Sequence, residues 1–154
     1  MKLLEAKRLR LEDEHEDAIT FTEHVLALHN DAVVVTANIT EFNRHRIFID
    51  NESSIDFLYF SVFTQMGFTP NKLGRFDTLI QDFSEGFGIL EGMIRLPITV
   101  GAISKQAAIQ VNFLVVKVLS VYNAILGYPS LWTLKVVVSS YLLMVKFSIP
   151  NGVG

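Results

Sequence analysis

The sequence predicts a mainly β protein folded as a small closed barrel with two short helices, and three observations lead there. Segments rich in β-branched and other apolar residues recur at strand length, at residues 32–39, 46–49, 89–96, 107–118 and 141–149. Only two stretches, 55–66 and 130–135, carry helical signals, so strands and helices do not alternate as they do in a parallel α/β sheet. Glycine and proline punctuate the extended stretch 76–100 at Gly86, Gly88, Gly92 and Pro97, as turns between strands require. Many short strands with few helices point to a closed or nearly closed barrel.

Taken in order, residues 1–18 mix charges of both signs and hold too few apolar positions to pack, which predicts a charged linker or frayed helix. Residues 19–154 form the predicted domain. The run 32–39 and the run 46–49 flank a polar stretch at 40–44, giving a hairpin. From 55 to 66 the apolar residues Ile55, Leu58, Tyr59, Val62, Phe63 and Met66 follow an i, i+3, i+4, i+7 pattern, which predicts an amphipathic helix stopped by Gly67. Phe57, Tyr59, Phe60 and Phe63 lie at the same spacing and are expected in the core. Residues 89–96 alternate enough for a hairpin arm, and a glycine-rich hairpin suits a cover over a cleft. Residues 107–118 are mostly apolar, as in a central strand buried on both faces. A short helix over 130–135 is expected to pack on the barrel through Trp132, and a last strand is expected over 141–149.

Composition narrows the function. Half of the 154 residues are hydrophobic, enough for one domain with its own core. A formal charge of -3 with no basic cluster argues against nucleic acid, because phosphate binding needs clustered Lys and Arg. The absence of cysteine excludes disulfides, thiol nucleophiles and thiolate metal sites. The most apolar stretch, 111–127, is interrupted by Asn112, Lys117 and Asn123 and falls short of the roughly 18 continuous apolar residues of a spanning helix. No apolar leader follows Met1, so a soluble, intracellular protein without membrane contact is expected. His15, His24, His29 and His45 lack metal-ligand spacing, and no metal or other cofactor is expected.

The chemistry-bearing stretch is Ile47-Phe48-Ile49-Asp50-Asn51-Glu52-Ser53-Ser54, in which three apolar residues lead an extended segment into one aspartate and a polar turn. A lone aspartate at a strand end is more often a turn or capping residue than a catalyst. Asp56 is expected to favour the first turn of the helix beginning near 55, by capping or solvation.

Three blocks, in order, favour descent from a catalytic aspartate over a capping residue. The segment 49–59, Ile49-Asp50-Asn51-Glu52-Ser53-Ser54-Ile55-Asp56-Phe57-Leu58-Tyr59, resembles V-D-N-G-S-S-A-D-I-L-Y of the retropepsin-like aspartic protease domain in plant gypsy-type retrotransposon polyproteins. Glu91-Gly92-Met93-Ile94-Arg95-Leu96-Pro97 and the residues to Gly101 resemble that family's E-G-x-I-x-L-P-V-T-x-G, and Ala124-Ile125-Leu126-Gly127-Tyr128-Pro129-Ser130-Leu131 resembles A-I-L-G-R-P-T-L. The resemblance spans about residue 19 to the end of the sequence.

It implies a retropepsin-type barrel acting as a homodimer on a peptide or polyprotein substrate, each subunit giving one aspartate to a shared dyad. Asp50 matches the catalytic aspartate. Asn51, Glu52 and Ser53 are its motif neighbours, and Gly86, Gly88 and Gly92 are the flap candidates. Asn51 replaces a hydroxyl residue with an amide that still donates and accepts. Glu52 stands in the glycine position, where a Cβ and an extra carboxylate are expected to crowd the turn and disfavour an ionised dyad. Tyr128 stands where the family carries a basic residue. The resemblance therefore implies an aspartic endopeptidase impaired by Glu52. The alternative is a non-catalytic dimerisation or peptide-binding module on the same fold.

Overall fold

The computed structural model describes residues 33–76, 88–139 and 141–154, together with the backbone of 8–9 and 19–20. Most of the charged segment 1–18 lies outside the described residues. Within it, β1 (Arg8–Leu9) pairs antiparallel with β2 (Ile19–Thr20).

The barrel begins with the expected hairpin of β3 (Val34–Ile39) and β4 (Phe42–Ile49). Its turn is shorter than the polar stretch suggests. Thr40 takes a left-handed backbone with φ 57, and pairing resumes at Phe42 against Ile39. Between the pairs Val35–Ile47 and Ala37–Arg44 the register slips, so that Thr36 faces both His45 and Arg46. This is a β-bulge, and Arg46 adopts φ 58 within it. The bulge turns the Arg46 side chain outward, where Nε donates to the Val121 carbonyl at 2.7 Å, while its own carbonyl accepts from the Asn123 N–H at 3.0 Å.

The expected helix over 55–66 is corrected. Asp56–Tyr59 is a strand, β5, and only Phe60–Gln65 forms the helix α1, ending before Gly67 at φ 83. All four residues of β5 are buried. A strand covered on both faces has no polar alternation, so its apolar run joins that of the following helix and imitates helical spacing. Phe57, Tyr59 and Phe63 nevertheless enter the core as anticipated. A 3-10 turn at Pro70–Lys72 follows.

The long hairpin of β6 (Ile89–Val100) and β7 (Ala107–Lys117) forms the opposite wall. Burial on both faces holds only for residues 113–116 of β7, the part that pairs with β5; residues 107–112 have several exposed positions. The chain then returns as β8 (Ala124–Leu126). It runs parallel to β4 and antiparallel to β5, inserting between them. The closed order is β3-β4-β8-β5-β7-β6, with β6 sealing back onto β3. Ile39, Ile47, Leu58, Phe63, Phe113 and Leu114 fill the interior.

Helix α2 (Tyr128–Thr133) begins two residues earlier than expected and docks through Leu131 and Leu134. Trp132 is corrected: it is 72% exposed and stacks on Tyr128 instead of packing on the barrel. Leu131 and Leu134, three residues apart, share the inward face, and Tyr128 and Trp132, four apart, share another. The single strand expected over 141–149 is also corrected. Residues 141–143 turn, with Leu143 at φ 49, and the chain makes β10 (Met144–Lys146) against β9 (Val137–Ser139) and then β11 (Ser148–Ile149) against β12 (Gly152–Val153). Phe147, between β10 and β11, is buried.

Because Leu114 is fully buried where β7 meets β5 and β6, Leu114→Ala is expected to lower stability by about 2–5 kcal/mol. Trp132→Ala should cost no more than about 1 kcal/mol. Urea unfolding of both variants checks the contrast.

Candidate active site

Strand β4 buries Ile47 and Ile49 and delivers Asp50 at its end, half-buried. Parallel β8 arrives alongside, and the Asp50 N–H donates to the Leu126 carbonyl at 3.0 Å. The chain then reverses: the Ser53 N–H donates to the Asp50 carbonyl at 3.3 Å, and the Glu52 N–H donates to Asp50 Oδ1 at 3.0 Å. An aspartate that accepts from the backbone two residues on makes an Asx-turn, which orients its carboxylate without help from another side chain.

Asn51 and Glu52 are exposed at the tip. Glu52 occupies the glycine position without a left-handed backbone, and its N–H still reaches the carboxylate. Within the single chain the turn is thus built with Glu52 in place of glycine. Ser53 points inward instead, its Oγ donating to the Ile55 carbonyl at 2.6 Å.

The back of this loop rests on the turn after β8. The Tyr128 N–H donates to the Ser53 carbonyl at 2.7 Å. Gly127 is pressed so closely against the loop that a Cβ there would lie 2.5 Å from the Ile55 carbonyl oxygen and 2.7 Å from that of Ser53. Beneath it sits Asp56. Its expected capping or solvated role is corrected, because it is 4% exposed on β5 and accepts the Gly127 N–H at 2.7 Å. Burial pushes its carboxyl up to about 6, against the opposing effect of hydrogen bonds from Gly127 and from the side chain and backbone of Ser130.

Of the flap candidates, Gly86 lies outside the described residues. Gly88, at φ 112, backs onto Val118 at the start of β6. Gly92, at φ 148, sits at a register slip between β6 and β7, where Leu73 and the Gly74 carbonyl would each lie 2.8 Å from a Cβ. There Gly74 and Met93 exchange backbone hydrogen bonds of 2.8 and 3.0 Å, so a third segment crosses β6 at Gly92. His45 is exposed and shares a 2.9 Å hydrogen bond with Thr36; His15, His24 and His29 lie outside the described residues.

Sequence reasoning missed the structural roles of Asp56 and Gly127. The signal for Asp56 was present: one carboxylate stands inside the otherwise apolar run Ile55-Asp56-Phe57-Leu58-Tyr59. For Gly127 the sequence shows only a glycine after three apolar residues, and its contact with Ser53 and Ile55 is a tertiary fact.

A six-stranded barrel with β8 inserted beside the aspartate-bearing strand is a retropepsin-like fold. Among solved structures, the chain is similar to the retroviral protease-like domain of Ddi1 from Leishmania major, with a TM-score of 0.56 at 14% sequence identity over 80% of this chain and 90% of that one. The sequence matches no family model and no curated protein.

Two outcomes test the site's construction. Gly127→Ala should destabilise the protein by about 1–3 kcal/mol, because the added Cβ meets backbone oxygens that cannot move independently. Asp56 binds its proton more tightly folded than unfolded, so it favours folding fully below its ordinary value of 3.8, and this stabilisation is lost as pH rises to about 6. The lost contribution is about 3 kcal/mol. Asp56→Asn should remove this slope from urea midpoints measured between pH 4 and 7; an unchanged slope would assign it to another group.

Proposed function

We propose that this chain is an aspartic endopeptidase domain of retrotransposon type, most like those of plant gypsy-type elements, that acts as a homodimer and is impaired by Glu52. The observation that carries the proposal is the Asp50 turn: a carboxylate at the end of a buried strand, oriented by the Glu52 N–H, on a retropepsin-like barrel. The three sequence blocks add support, since they put the aspartate, the β6 segment and the Gly127 turn in the order the fold uses.

In the proposed dimer two Asp50 carboxylates approach across a twofold axis. Like charges at about 3 Å cannot both ionise, so the pair keeps one proton. The ionised member takes a proton from a bound water, which attacks the carbonyl carbon of an extended peptide. The protonated member donates to the carbonyl oxygen; the resulting gem-diol then collapses, the C–N bond breaks, and the nitrogen leaves with a proton supplied by the dyad.

Glu52 is exposed at the tip of each turn, two residues from Asp50. In the dimer it adds one further carboxylate per subunit near the dyad, which disfavours the singly ionised pair and takes up space needed by the peptide. The substrate is a peptide or polyprotein segment bound in extended form.

The test is a peptide-library digestion at mildly acid pH, with and without pepstatin. The unmodified chain should cleave weakly, and Glu52→Gly should raise kcat/KM by about tenfold or more, a lowering of the barrier by about 1.4 kcal/mol. Asp50→Asn in the Glu52→Gly background should abolish cleavage. Robust pepstatin-sensitive cleavage by the unmodified chain would refute the impairment. Peptide binding by a dimer with no turnover in either form would replace the endopeptidase with a binding module.

A further inference from the structure

Asp56 and Ser130 are the buried polar residues among the described ones, and they face each other. Such burial is costly unless the polar atoms are satisfied, and an apolar residue or an amide would occupy the same site at lower cost. What a carboxylate adds is capacity: its two oxygens accept several donors at once. Here it takes the Gly127 N–H at 2.7 Å together with the backbone and hydroxyl donors of Ser130. One side chain on β5 thereby holds both ends of the segment 127–130.

That segment is also what the Asp50 loop leans on. Leu126 accepts from the Asp50 N–H, Gly127 abuts the Ser53 and Ile55 carbonyls, and the Tyr128 N–H holds the Ser53 carbonyl. We infer that Asp56 is a positioning residue for Asp50: through Gly127, Ser130 and Tyr128 it sets where the Asp50 turn sits and how firmly the Glu52 N–H meets the Asp50 carboxylate. The inference concerns the site of the proposed endopeptidase and takes its functional meaning from that proposal, but the coupling itself belongs to the single chain.

The elements around Asp56 leave few competing charges. On the loop stand Asp50 and Glu52, on its own strand Tyr59, on β7 Lys117 and on α2 Tyr128, while β8 carries no titratable group. Glu52, Lys117 and Tyr128 are exposed. A response of the loop to protonation of Asp56 is therefore separable by substitution from one that begins at Asp50 or Glu52.

The experiment is a pH titration of the whole chain by NMR, following the Asp56 and Asp50 carboxyl carbons and the amides of Glu52, Gly127 and Tyr128, with amide exchange measured in parallel. All three amides should move with the Asp56 midpoint, and should still do so in Asp50→Asn. In Asp56→Asn that transition should vanish, and exchange at Tyr128 and Glu52 should quicken by about tenfold while Leu114 stays protected. Ser130→Ala should give the same local quickening, and Asp56→Ala a larger one than Asp56→Asn. If Asp56→Ala does not fold, the wild-type titration and Asp56→Asn decide the matter. The inference is overturned if the Asp56 carbon titrates while Glu52 and Tyr128 stay still, or if exchange quickens equally at Leu114. Since no substrate is used, a chain that cleaves nothing at any pH removes the endopeptidase proposal and leaves this coupling to stand or fall separately. Where Glu52→Gly hydrolyses peptides, adding Asp56→Asn should shift the pH profile of kcat/KM.

Discussion

β8 has to leave the barrel through the space between β4 and β5, and it does so at Gly127. Three strands converge there with no room for a Cβ, since the carbonyls of Ser53 and Ile55 lie within 2.7 Å of where one would stand. The N–H that this crowded residue presents cannot reach water, so it needs an internal acceptor, and Asp56 supplies one at 2.7 Å. From this contact the order of the neighbouring parts follows. The Leu126 carbonyl accepts from the Asp50 N–H, the Tyr128 N–H donates to the Ser53 carbonyl, and α2 starts in the direction that buries Leu131 and Leu134.

The turn that carries Asp50 draws its shape from backbone groups, so it tolerates change at its tip. Asn51 and Glu52 are exposed, and the Glu52 N–H makes the same contact to the carboxylate that any residue's N–H could make. Glycine at this position is therefore no requirement of the isolated fold. The demand for a small residue arises only if a second copy and a peptide must approach the carboxylate, where an added side chain and its charge would meet them. The isolated fold and the proposed chemistry thus place different constraints on one residue.

The bulge at Thr36, His45 and Arg46 shows a related division of labour. Arg46 holds an unfavourable left-handed backbone, and the hydrogen bonds from its side chain to Val121 and from Asn123 to its carbonyl oppose that cost. They also fix the chain just before β8, so that Ala124 enters in register with Ile47. At the other end Gly92 lets β6 slip past β7 where Gly74 crosses. Neither irregularity has an evident sequence signature beyond a glycine, because each depends on a partner distant in sequence.

The sequence by itself determined the elements whose patterns are local. The β3–β4 hairpin, the β6 arm, β7 and the stop at Gly67 could be read from β-branched runs and glycines, and Asp50 from the strand and turn around it. It misassigned Asp56–Tyr59 as helix, placed Trp132 inward and drew one strand where β10 and β11 stand, because periodicity reports a residue's face only when one face is wet. Strand order, the closeness of Gly127 to the Asp50 loop and the burial of Asp56 were decided by tertiary structure alone. They follow from which backbone groups lose water when β8 inserts between strands far away in sequence, and no local pattern records that loss.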